Sequence, residues 1–393
     1  MTDLDVAAER REAMPNRQMI CLLTASLGAL TGFYLLVPVV PLYAATGGAG
    51  DTGAGLATGV MMAATVLMEL AVPAVLGRCG YRLSIAAGLL LLGAPSAVLA
   101  VSPALPLVLA ACAVRGAGLG IIVVAGPALV AELVPSRRRG EALGVYGVAV
   151  GVPAVAALPL GLWLSEQLGY GFVFTAGAVV SLGTLATVIG LPSARGRVEQ
   201  HRGVLGGLRD GGLARPTMIF AAVTLAAGIL LTFLPLAVPA ASRGTASLAL
   251  LAQASTMPLA RWLAGRYGDR RDPGRLLLPA VLAAAAGTAG LAWPHDPWIT
   301  IAAAALFGAG FGAAQNVTLT LMFQRTSRSR FGQVSALWNL AYDGGMGVGA
   351  VGFGLVAGLA GYPAGFLLTA AVLLAALVPT WTDRRITGGA THE

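Results

Sequence analysis

Twelve stretches of this chain are each long and apolar enough to cross a lipid bilayer, and that repetition limits the possible folds more than any other feature. A crossing needs about 20 mostly apolar residues, and by that rule the spans fall at about 18–44, 54–77, 83–102, 104–134, 140–165, 170–191, 216–239, 245–264, 275–293, 298–323, 332–358 and 363–381. The runs are too long for strands and do not alternate apolar with polar residues. Charge is correspondingly scarce. It makes up 11% of the residues, against 57% hydrophobic, whereas a soluble domain carries about 25% charged residues. So little charge cannot cover a water-facing surface, so most of the surface must face lipid.

The charge that is present is unevenly placed. All 25 basic residues are Arg. With the N-terminus on the inside, 23 of them, Arg261 among them, fall on the inner side of the twelve-span arrangement. Arg243 falls outside and Arg115 lies within the fourth span. Cytoplasmic loops are enriched in Arg. The asymmetry therefore predicts that both termini are cytoplasmic, and it explains the net charge of +8 without a nucleic-acid partner. The first apolar run is too long for a signal-peptide core and reads as a retained span.

The longest polar stretch, 193–215, divides the chain. The organisation expected is a cytoplasmic tail (1–17), a six-helix bundle (18–192), a cytoplasmic linker (193–215) with a short surface helix, a second six-helix bundle (216–382) and a cytoplasmic tail (383–393). The two halves echo each other. "PAVLGRCGYRLSI" (73–85) joins spans two and three, and "LAGRYGDRRDPGRLLL" (263–278) joins spans eight and nine. An internal repeat of this kind is a mark of transporter folds, with the site at the interface between the repeats.

Here the sequence resembles the major facilitator superfamily, and within it the twelve-span bacterial drug–proton antiporters and exporters. The loop signature G-x-x-x-D-R-x-G-R-[KR] appears in the second half as Gly265, Asp269, Arg270, Gly274 and Arg275, with one extra residue. In the first half Arg78, Gly80 and Arg82 match; Pro73 replaces the first Gly and Gly77 the Asp. "RGAGLG" (115–120) is similar to the family's Arg-centred motif linked to proton coupling. Gly147, Gly151, Pro153, Pro159 and Gly161 stand in the fifth span without the antiporters' intact Gly-Pro pair. The resemblance implies an all-α integral membrane protein of twelve helices in two pseudo-symmetric bundles, monomeric, in the bacterial cytoplasmic membrane. It further implies proton-coupled efflux of small, largely hydrophobic compounds by alternating access; the alternative is an importer of a small polar metabolite. The expected partners are a small-molecule substrate, protons and the bilayer.

Three ionisable residues lie well inside spans, away from their ends, and are functional candidates because a charge is costly there: Glu69, Arg115 and Asp343. Each has a structural alternative: a helix–helix hydrogen bond or gate contact for Glu69, backbone carbonyl contacts for Arg115, polar glue between helices for Asp343. Asn339, Tyr342, Asp343 and Met346 share one helical face. With Trp338 that face has the mixed character of a binding cavity. Tyr34, Gln253, Gln315 and Asn316 are further cavity candidates. Glu69 and Asp343 are expected to divide the proton and substrate roles, in an order the sequence leaves open, with Arg115 biasing the proton site. Asp269 is expected to latch onto the start of span five, near Gly140 and Glu141, when the cytoplasmic side closes. The first-half loop should latch more weakly, because Gly77 offers no carboxylate.

No catalytic set, cofactor site or metal site is expected. Cys21, Cys79 and Cys112 lack metal-ligand spacing. The three histidines, His201, His295 and His392, lie in loops or the tail. The G-x-G of "RGAGLG" does not follow a strand, so it is not a nucleotide loop. Energy would come from an ion gradient or the substrate's own gradient.

Overall fold

A computed structural model describes residues 17–135, 138–195, 204–327 and 330–376. The terminal tails and part of the linker lie outside these residues. Among the described residues the chain is helical and contains no strand. The first helix, α1, covers Arg17–Leu36 and resumes as Val39–Ala44 after a break at Pro38, whose ring removes a backbone donor.

Gly50–Val98 divides at Gly80 (φ 76°, ψ 172°) into α2 (50–79) and α3 (81–98). This conformation favours glycine. It turns the chain sharply enough for two helices to meet with almost no loop. Gly361 (φ 79°, ψ 167°) does the same within Phe331–Ala375, separating α11 (331–360) from α12 (362–375). Between these lie α4 (Leu105–Leu133), α5 (Arg139–Leu168), α6 (Tyr170–Gly183, with a 3-10 continuation Thr184–Gly190) and α7 (Gly211–Ala237). α8 (Arg243–Gly268), α9 (Leu277–Gly290) and α10 (Pro297–Gln324) follow. A helical segment thus stands at each of the twelve expected positions. Among the described residues seven helical stretches are long and apolar enough to cross a membrane, the first of them the run Arg17–Val98 that holds α1, α2 and α3.

The helix ends are read locally. Asp296 accepts hydrogen bonds from the Trp298 and Ile299 amides (2.9 and 3.0 Å) and caps α10. Asp210 caps α7 through the Gly212 amide (3.0 Å) and pairs with Arg330 (3.3 Å) at the start of α11. The linker contributes a 3-10 turn, Val204–Arg209, before this cap.

Glycine brings the helices close. A Cβ on Gly116 or Gly120 of α4 would lie 2.2 Å from the Met61 carbonyl oxygen or 2.7 Å from that of Thr65, on α2. Gly308 and Gly312 of α10 stand in the same relation to Gln253 and Met257 of α8, at 2.4 and 2.0 Å. Without a hydrophobic driving force between helices in lipid, such close backbone approach is what drives association.

The two halves meet along α2–α11, and α5 also packs on α8. A Cβ on Gly55 would lie 2.5 Å from the Ala350 carbonyl oxygen, and one on Gly354 2.7 Å from that of Asp51. Thr58 and Thr232 exchange a buried hydrogen bond (2.8 Å) across the same seam. The opposite, arginine-rich end has no such seam among the described residues. Gly140, Gly144, Gly147 and Gly151 share one face of α5 with open space around them, and Asp269 is exposed. The molecule is therefore closed at its Asp51 end and open at its arginine-rich end.

Candidate functional site

The helices that form the seam also carry the candidate carboxyls. Glu69 lies 19 positions into α2, and Asp343 12 positions into α11, which puts Asp343 about 18 Å from that helix's start. The two carboxyls are electrostatic neighbours across the interface between the halves. Asp343 is buried, and Glu69 Oε1 is buried without a hydrogen-bond partner. Two ionised carboxylates held side by side away from water repel each other, and a shared proton relieves that repulsion.

Around Asp343 stands an aromatic wall. Trp338 stacks on Phe220 (4.5 Å between centroids, 15°), and its indole donates to Thr318 (3.4 Å). Tyr342 lies 6.0 Å from Phe220, 6.0 Å from Phe311 and 5.8 Å from Trp338. Tyr34 of α1 is an electrostatic neighbour of both Asp343 and Tyr342. Six expected residues (Glu69, Asp343, Tyr34, Trp338, Tyr342 and, on the same face, Asn339) thus lie at one place.

The remaining candidates divide. Gln315 is buried on α10 and accepts a hydrogen bond from Arg261 of α8 (3.3 Å). Gln253 is buried, with Oε1 unpartnered. Asn316 faces Gly265, whose Cβ would lie 3.2 Å from Asn316 Nδ2. Arg115 stands apart from the carboxyls. It is 1% exposed; Nη2 donates to the Gly32 carbonyl (3.5 Å), Nε is unpartnered, and its electrostatic neighbour is Cys112. With Met61, Met62 and Met346 it lines a small cavity beneath the seam.

The loop residues serve different ends in the two halves. Arg82 donates to the Leu191 and Ile189 carbonyls (2.8 and 2.9 Å), fastening α3 to the end of α6. Gly80 makes the turn, and Arg78 is exposed. In the second half Gly265 lies inside α8, and Asp269 ends it as an exposed C-cap. Arg270 follows in the turn, and Gly274 and Arg275 belong to the 3-10 turn Pro273–Leu276, which Asp272 caps through the Gly274 amide (2.9 Å). Glu141, the expected neighbourhood of Asp269, pairs instead with Arg138 (3.1 Å) in this open state.

Sequence reasoning missed two features. By sequence Arg261 counts with the inner-side arginines at the end of span eight; it lies seven residues inside the end of α8 and donates to Gln315. Its signal was its spacing from Gln253 and Met257, at i+8 and i+4 on one face. The Gly55–Gly59 pair on α2, a small-xxx-small pattern, marked the seam.

Comparison with known proteins decides the family. The Major Facilitator Superfamily pattern matches residues 22–350, and again 217–389. The chain belongs to the major facilitator superfamily of membrane transporters. It is 29% identical over 163 residues to an uncharacterized MFS-type transporter of Mycobacterium tuberculosis, covering 40% of this chain and 23% of that one. It is 26% identical over 273 residues to the multidrug resistance protein MdtG of Dickeya zeae, covering 66% of each chain. With the inner membrane transport protein YajR of Escherichia coli it shares 25% identity over 193 residues, 48% of this chain and 42% of YajR. The chain thus spans under a quarter of the mycobacterial relative and under half of YajR. Among solved structures, the xylose transporter XylE of E. coli shares the fold, with a TM-score of 0.74, 14% identity and coverage of 94% of this chain and 98% of XylE.

Proposed function

We propose that this superfamily member is a proton-coupled exporter of small, largely apolar compounds in the bacterial inner membrane, with both termini cytoplasmic. The Glu69–Asp343 carboxyl pair carries this reading. It lies between the two halves, where alternating access exposes a site first to one side of the membrane and then to the other. A proton on the pair relieves the repulsion between its two carboxylates, so loss of that proton on one side would push apart the two helices that hold it. The aromatic wall of Phe220, Phe311, Trp338 and Tyr342 suits apolar substrates, and the similarity to MdtG supports efflux.

The test is flux in proteoliposomes holding the full chain, with a pH gradient imposed. The panel is 2-naphthamide, 2-naphthoate and ethidium, against xylose and uridine. The expected result is gradient-driven movement of at least one aromatic compound, abolished by a protonophore. Movement of xylose or uridine alone, or flux indifferent to the pH gradient, would contradict the proposal.

A further inference from the structure

We infer that Arg261 is an anion-recognising residue of the substrate cavity, so that the preferred substrates are apolar molecules bearing an acidic group. The inference deepens the exporter reading and rests on it for the location of the cavity.

The first support is the internal repeat in its three-dimensional form. Met61 and Gln253 are 192 positions apart, and so are Thr65 and Met257, Gly116 and Gly308, and Gly120 and Gly312. Each glycine of α4 meets α2 as its counterpart of α10 meets α8. One turn further along the same faces, the same offset pairs Glu69 with Arg261. The repeat therefore places an acid on one half and a base on the other at equivalent positions, and each has a neighbour in the same cluster: Glu69 lies by Asp343, and Arg261 by Tyr342.

The second support is that the two charges do not satisfy each other. Glu69 is engaged with Asp343. Among the described residues Arg261 has no ion pair; its side-chain partner is the neutral amide oxygen of Gln315. Gln315 is itself buried, and its amide nitrogen is held by Met257 Sδ (3.8 Å), which aims its oxygen at the guanidinium. A guanidinium has five donors and no acceptor, so most of its donors remain for a ligand.

The third is depth. Arg261 lies about 10 Å inside the open end, and Asp343 about 18 Å. An entering molecule therefore meets the guanidinium before Asp343. With the aromatic wall beside it, the site can hold an apolar ring and a carboxylate or sulfonate together. Arg binds such planar groups with two parallel hydrogen bonds.

The experiment is equilibrium binding of radiolabelled 2-naphthoate and 2-naphthamide to the full chain in nanodiscs at fixed pH, with no gradient. It is therefore blind to proton coupling and can fail separately from the exporter reading. The wild-type protein should bind naphthoate about tenfold more tightly than naphthamide. Arg261→Gln should remove that preference while leaving naphthamide affinity within about twofold, which also shows that the variant is folded. Arg261→Lys should restore part of the preference. Equal affinities in the wild type, absence of saturable naphthoate binding, or an undiminished preference in Arg261→Gln would overturn the inference.

Discussion

The phenol of Tyr362 donates a hydrogen bond to the carboxylate of Asp51, tying the turn between α11 and α12 to the first residues of α2. The two residues belong to opposite halves, so the bond exists only while this end is closed. A hydrogen bond to a charged group contributes about 1.5–3 kcal/mol, and less when partly exposed. Tyr362→Phe should therefore raise the population open at the Asp51 end by about fivefold. Cys112, buried beside the Arg115 cavity, is a built-in reporter once Cys21 and Cys79 are replaced by Ala. Its labelling by an impermeant maleimide applied from the Asp51 side should accelerate in Tyr362→Phe.

The same seam predicts a contrast between glycines. Gly55→Ala would put a methyl group 2.5 Å from the Ala350 carbonyl oxygen, whereas Gly352 on α11 has open space. Overpacking costs about 1–3 kcal/mol. Gly55→Ala should open the Asp51 end and accelerate Cys112 labelling about fivefold or more; Gly352→Ala should not change it.

At the other end Asp269 is exposed, as a latch residue would be in its released state. A carboxylate at the N-terminus of α5 would be stabilised by about 0.3–1 kcal/mol, or up to about 2 when partly buried. Asp269→Asn should weaken closure and enlarge the state open at the arginine-rich end by about two- to fivefold. Gly144→Cys, on the uncrowded face of α5, provides the accessible thiol. Unchanged labelling of that thiol would remove the latch.

Arg82 should behave as a structural residue. Two hydrogen bonds from its guanidinium hold the last carbonyls of α6. Arg82→Ala should lower the melting temperature of the purified protein by several degrees, on a loss of about 1–3 kcal/mol. Arg78→Ala, at an exposed side chain, should leave it unchanged.

Much of this was legible in the sequence. Span positions follow from runs of apolar residues, whose length is set by the bilayer, and α4 and α5 end within about three residues of expectation. The Glu69–Asp343 meeting was not legible. Each residue stood out singly because charge is costly in lipid, but their contact depends on the register of α2 against α11. That register is set by Gly55, Gly59, Gly347 and Gly354, and in so glycine-rich a chain no one glycine stands out. Arg115 illustrates the converse. Its intramembrane position was plain, yet its partners are Gly32 and Cys112 rather than a carboxyl. A helix face read from spacing alone does not reveal which neighbouring helix it meets. Arg261 was hidden by its closeness to the charged loop that follows it.

The central claim is that the Glu69–Asp343 pair couples substrate movement to protons. The most direct test is proton release by the purified full-length protein when substrate is added, together with gradient-driven flux in proteoliposomes, in the wild type and in the double variant Glu69→Gln, Asp343→Asn. The account predicts that the double variant inserts and folds, exchanges substrate down its gradient, releases no protons and cannot concentrate substrate under a pH gradient. A double variant that still concentrates substrate in a pH-dependent way would contradict it.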